Sequence, residues 1–157
     1  MLIRSLQPDD ADTVRRLILD GLARRFGAAD EALNPDLNAL WDHYSREAVT
    51  FVVAVDGGRI IGCGALVREP GAASTARIVR VSVAADVQGR GLGRTISQRL
   101  LDSARAAGFS QVVVETNDDW DSALRLYQSL GFQESRRETN PAFGFVEVHM
   151  FLDLDAD

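Results

Sequence analysis

Residues 77–107 read RIVRVSVAADVQGRGLGRTISQRLLDSARAA, and this stretch decides the fold. Ile78 to Val83 is an apolar, β-branched run of the kind that fills a buried strand. A short polar turn leads to Gln88-Gly89-Arg90-Gly91-Leu92-Gly93. A helical pattern follows, with Leu92, Ile96, Leu100, Ala104 and Ala107 on one face. A strand that feeds a glycine loop opening onto a helix is a phosphate cradle. Glycine lets the backbone come close to a ligand, and the first N–H groups of the helix point outward without intrahelical partners. The helix start carries roughly half a positive charge, so a diphosphate is its natural guest. The plain alternative is a glycine-rich helix start with no ligand. Glycine costs roughly 0.5–1 kcal/mol relative to alanine inside regular structure, however, so three together need a backbone reason.

The spacing narrows the choice of diphosphate. A dinucleotide fold uses G-x-G-x-x-G, but Arg94 stands where the third small residue belongs. A P-loop is excluded, because the chain has no Gly-Lys-Ser/Thr and no lysine at all. The order Gln-x-x-Gly-x-Gly resembles the acyl-CoA pyrophosphate loop of the GNAT superfamily of N-acetyltransferases. A second segment, Ala123-Leu124-Arg125-Leu126-Tyr127-Gln128-Ser129-Leu130-Gly131-Phe132, is similar to that family's A-x-x-L-Y-x-x-x-G-F signature. Helical spacing turns Tyr127 inward with Ala123, Leu126 and Leu130, while Arg125 and Gln128 face water. On composition alone Tyr127 reads as a core tyrosine. Two motifs in order, about 35 residues apart, are far more specific than either alone.

The resemblance implies a site. Backbone N–H groups from Gln88 through Gly89, Arg90, Gly91, Leu92 and Gly93 to Arg94 would hold the pyrophosphate, with Arg90 adding charge. Arg94 reads equally as an ordinary solvated arginine. The backbone of Val81, Ser82 and Val83 would bind the thioester carbonyl and the pantetheine arm, and Tyr127 would protonate the departing thiolate. Two positions depart from the family pattern. Arg77 stands where many members carry a glutamate base, and Trp120 where many carry an asparagine that bonds the cofactor arm. Glu115, at the end of the next strand and followed by Asp118, Asp119 and Asp121, is the replacement base, with a solvated strand-end residue as the alternative. Glu147 and His149 alternate with Val146, Val148 and Met150, and either point outward or line a pocket. His43, Tyr44, Phe143 and Phe145 line an acceptor pocket or belong to the core. Two histidines without matching spacing make no metal site.

Length and composition agree with this reading. The 157 residues, 46% hydrophobic, form one domain spanning 1–157. A net charge of -6 argues against nucleic acid as a partner. No apolar stretch could span a bilayer, the first residues do not resemble a signal peptide, and the lone Cys63 forbids an internal disulfide. A cytoplasmic protein is expected, with no membrane partner and with homodimerisation left open. The element order is β, α, α, three strands, α, β, α and two strands. That gives an α/β (α+β) fold with a single mixed, mostly antiparallel sheet and helices on both faces, which is also the GNAT order. The expected activity is direct transfer of acetyl from acetyl-CoA to a primary amine of a small molecule or peptide, without metal. The alternatives are a non-catalytic acyl-CoA sensor and, against the Arg94 mismatch, a nucleotide- or S-adenosylmethionine-binding enzyme.

Overall fold

The fold is that of a computed structural model, which describes residues 1–154. Seven strands form one sheet in the order β1-β2-β3-β4-β5-β7-β6. They are β1 (Leu2–Ser5), β2 (Ala48–Asp56), β3 (Arg59–Arg68), β4 (Thr75–Val83), β5 (Gln111–Asn117), β6 (Gln133–Thr139) and β7 (Val146–Asp153). Among the described residues only the β4–β5 pair is parallel. Its crossover is α3 (Leu92–Ala106), while α1 (Ala11–Phe26) and α2 (Leu40–Glu47) lie between β1 and β2, and α4 (Asp121–Ser129) lies between β5 and β6.

Strand alternation divides the core in two. Phe51, Val53, Cys63 and Ala65 pack under α1 and α2 with Val14, Ile18, Leu40 and Tyr44. Val52, Ala54, Leu66, Ala76 and Ile78 pack under α3 and α4 with Ile96, Leu100, Leu101 and Tyr127. Gly62 and Gly64 bring α3 down onto bare backbone, since a Cβ at either position would lie 2.8 Å from Ile96. Fully burying an aliphatic side chain such as Ile96 or Leu100 contributes about 1.5–3 kcal/mol, and neither exposes any surface. Cys63 is free and buried, and its thiol is pushed up to about 12 by desolvation.

Local turns set three boundaries. Helix α2 begins at Leu40, because Pro35–Leu37 forms a 3-10 turn and the Asp36 side chain is drawn toward the sheet. Strand β7 begins at Val146. The Asn140 Oδ1 accepts the N–H groups of Ala142 and Phe143 at 2.9 and 3.0 Å and holds that segment in a turn. Ala107 leaves the buried face of α3, because the helix stops at Ala106 and Gly108 (φ +84°) turns the chain so that Phe109 is buried instead. Among the described residues no helix is long and apolar enough to cross a membrane.

Candidate active site

The β4–β5 ladder is three pairs long, Thr75↔Gln111, Ala76↔Val112 and Arg77↔Val113. Past these pairs the two strands part. Residues 78–83 of β4 and 114–117 of β5 then border an opening in the middle of the sheet. A bulge shapes the β4 side. Ala65 pairs with Val79 but Cys63 pairs with Ser82, so Arg80 and Val81 together oppose Gly64. Arg80 takes φ +58°, the left-handed region that non-glycine residues rarely enter. The Val81, Ser82 and Val83 backbone therefore lies along the open edge.

At the end of β4 the loop turns into α3. Gly89 (φ +79°) and Gly91 (φ +78°) are there for their backbone conformation, and a Cβ at either would meet open space. Gly91 is the N-cap and supplies no capping side chain, and the first turn of α3 carries no acidic residue. No other described residue accepts the N–H groups of Leu92, Gly93 or Arg94, and the first backbone bond comes from Thr95 to Gly91 at 3.1 Å. The Leu92 side chain is buried, so that residue offers a ligand only its N–H. Gly93 has a different reason, since its Cβ would stand 3.1 Å from Leu126 of α4. Arg90 is exposed beside the loop. Arg94 Nε donates to Ser129 Oγ at 3.3 Å and ties α3 to α4. The Gln88 side chain turns back and donates to the Val83 carbonyl at 3.4 Å, which Arg24 also reaches at 3.2 Å. Asp86, the acid nearest the loop in sequence, is clamped by Arg59 through two 2.7 Å hydrogen bonds that hold its carboxyl down at about 2.

Tyr127 lies inward on α4, with 7% of its surface exposed and its ring edge-on to Phe132 at 5.5 Å. Burial pushes its phenol up to about 12, and the neighbouring Ser97 hydroxyl opposes that rise. Ser97 Oγ is itself buried without a hydrogen-bond partner. The phenol thus stays protonated at neutral pH.

On the other face of the sheet Glu115 stands just past the last β4–β5 pair, two residues before β5 ends. It is neither at the strand terminus nor simply solvated. Arg77 Nη1 donates to it at 3.3 Å, and His149 Nδ1 lies 3.7 Å away. Arg77 is therefore held by Glu115 and by Glu69, the latter at 2.7 Å. Glu147 and His149 share this face, opposite Asn117 and Glu115 on β5. Glu115, Glu147 and His149 could reach a single cation, but the guanidinium of Arg77 already occupies Glu115, which makes the group an ion-pair network.

The four aromatic residues proposed for an acceptor pocket divide into two groups. Tyr44 is buried against Phe51, with His43 edge-on to it at 4.6 Å. Phe143 and Phe145 stack on each other, 5.9 Å apart. Trp120 caps α4 under the Arg25 guanidinium, at 5.1 Å, and Asp119 is paired with Arg25, so that acid is already neutralised. Sequence reasoning missed Arg80. Its guanidinium donates to both Asp36 oxygens, at 3.0 and 2.7 Å, and to Asn34 at 3.1 Å, and Tyr44 donates to the same carboxylate. The one signal was an arginine interrupting a valine-rich strand.

A mixed sheet that parts between two parallel strands, with an uncapped glycine-opened helix after β4 and a buried tyrosine on α4, has the architecture of the N-acetyltransferases. The chain belongs to the acetyltransferase (GNAT) family, whose model matches residues 16–132. It is 32% identical over 123 residues to N-acetyltransferase family 8 member 2 of Rattus norvegicus, covering 76% of this chain and 54% of that protein. The chain spans about half the length of the curated relatives it matches. Among solved structures, an N-acetyltransferase from Staphylococcus aureus Mu50 superposes with a TM-score of 0.84 at 17% identity over 98% of both chains. A putative acetyltransferase from Salmonella typhimurium, solved with its cofactor acetyl-CoA, gives 0.80 at 23% identity over 100% of this chain and 95% of its own.

Proposed function

We propose that this chain transfers acetyl from acetyl-CoA directly to a primary amine. The observation that carries this reading is the parting of β4 and β5 beside the uncapped start of α3. An extended arm entering there meets free strand edge, while a pyrophosphate meets free N–H groups and a positive dipole end. The amine nitrogen attacks the thioester carbon, N–H groups near Val83 polarise the carbonyl, and the carbon–sulfur bond breaks. Tyr127 gives its proton to the leaving thiolate. The nitrogen loses a proton to Glu115, directly or through water, and that proton returns to the phenolate through solvent. No covalent enzyme intermediate forms and no metal takes part, and the proposed place of action is the cytoplasm. The test is incubation with acetyl-CoA and a panel of amines, followed by thiol release and the mass of the product. A folded protein that binds acetyl-CoA yet acetylates no amine would reject the reading in favour of an acyl-CoA sensor.

A further inference from the structure

We propose that the acceptor is an arylalkylamine, its ammonium received by Glu147 and its ring seated on Phe143, Phe145 and Phe26. This rests on the acetyl-transfer reading and names its substrate class. Phe26 ends α1 and the other two lie before β7, yet the three rings gather in one patch. Phe143 stacks on Phe145 at 5.9 Å with 4° between the planes, and Phe145 lies 6.2 Å from Phe26. Phe143 is 60% exposed and Phe26 51%. Exposed apolar surface gathered in one place marks a binding site, where scattered exposed residues would mean nothing. An aromatic face also attracts another ring or a cation beyond the area it buries.

Glu147 supplies the charge. Its side chain is only 19% exposed, and among the described residues no arginine pairs with it. Its ionic neighbour is His149, 3.6 Å away and cationic only when protonated. On the same face Arg77 holds Glu69 and Glu115, Arg136 holds Glu138, and Asp153 accepts a hydrogen bond from the Gln111 side chain. A largely desolvated carboxylate with no permanent cation is a good receiver for an ammonium group. One residue joins this carboxylate to the aromatic patch. Asn140 Nδ2 donates to Glu147 at 3.0 Å, while its Oδ1 accepts the Phe143 N–H at 3.0 Å and its backbone N–H donates to Phe145 O at 2.8 Å. Glu147 also pairs with Asn117, in the part of β5 that stands free of β4, so a nitrogen held there is one strand from the opening.

The separation sets the length of the substrate. Phe145 and Glu147 are two residues apart in sequence, so along extended chain their side chains stand about 7 Å apart. That span fits two to four methylenes between ring and nitrogen. The CoA-loaded protein is titrated calorimetrically at pH 7 with 3-phenylpropylamine and with hexylamine, an apolar control without a ring. The phenyl compound binds at least tenfold more tightly. Phe143→Ala with Phe145→Ala cuts that advantage below threefold and leaves hexylamine within twofold, with circular dichroism confirming the fold. Glu147→Gln weakens both amines tenfold or more. Equal affinity for the two amines, or a phenyl advantage that survives the paired substitution, overturns the proposal. The ranking of kcat/KM with acetyl-CoA separates this inference from the reading beneath it. Acetylation of every amine without preference keeps acetyl transfer and refutes the aryl site. Ring-dependent binding without any acetyl product keeps the site and refutes acetyl transfer.

Discussion

Replacing Arg80 tests the bulge and the pair it anchors together. The Arg80 and Asp36 side chains are 19% and 15% exposed, and Arg80 bonds both carboxylate oxygens. Removing one partner of a fully buried pair costs about 3–5 kcal/mol, because the other charge is left stranded. Here some water reaches the pair and Tyr44 still donates to Asp36, so Arg80→Ala should cost about 2–4 kcal/mol, or about 6–12 °C in Tm for a chain of this size. Backbone conformation adds an internal control. In an ordinary strand Arg80→Gly would be less stable than Arg80→Ala by about 0.5–1 kcal/mol. At φ +58° the order reverses by about 1–2 kcal/mol, because glycine alone is unstrained there. Burial would raise the Asp36 pKa, but the Arg80 and Tyr44 hydrogen bonds outweigh it and hold it below the usual carboxylate value. The pair's stabilisation is therefore complete above the unfolded value near 3.8 and is lost as pH falls through the lower folded one. Urea unfolding at pH 7 and at steps down to pH 2 measures all of this. A loss below about 1 kcal/mol for Arg80→Ala, or an Arg80→Gly variant less stable than Arg80→Ala, refutes the reasoning.

Three further substitutions address the transfer chemistry. Gly91→Asp puts a negative charge and a Cβ at a left-handed N-cap, and calorimetric affinity for acetyl-CoA should fall at least tenfold, about 1.4 kcal/mol; unchanged affinity in a folded variant removes the loop from the pyrophosphate site. Tyr127→Phe keeps the packing against Phe132 and removes the donor, so kcat should fall by about 10²–10⁴ while acetyl-CoA affinity holds. A loss under about threefold returns Tyr127 to the core. Glu115→Gln keeps shape but accepts no proton, so kcat/KM should drop at neutral pH and partly recover in alkali, where free amine is more abundant. Wild-type rates from about pH 6 to 9 would place the base elsewhere.

Features set by local pattern were legible from the sequence, and features set by strand pairing were not. The glycine loop, the inward Tyr127 and the element order follow from periodicity and turn chemistry that a single segment carries. The bulge at Arg80 exists only because β4 meets β3 out of step, and its clamp on Asp36 joins residues 44 apart in sequence. Gly62 and Gly64 read as weak strand residues until Ile96 is seen resting on them. Arg77 and Glu115 were each singled out, but their mutual hydrogen bond needed the β4–β5 register. The four aromatic residues fall into two separate groups because helical spacing places Tyr44 on a buried stripe, while Phe143 sits in a turn that Asn140 dictates.

The three-pair ladder makes the free protein a sheet with two raw edges in its interior. Unpaired strand edges are templates for other chains, and proteins ordinarily confine them to the periphery, where charge or proline can blunt them. The edges at 78–83 and 114–117 carry no proline, and their two charged residues, Arg80 and Glu115, are drawn into pairs with Asp36 and Arg77. A pantetheine arm with its two amide groups can lie in that gap as a surrogate strand. The cosubstrate would then act as a chaperone for its own binding site. At one hundred times its dissociation constant it would stabilise the folded state by about 2.7 kcal/mol. Molecules emptied of it would be the ones that associate through their exposed β4 and β5 backbones.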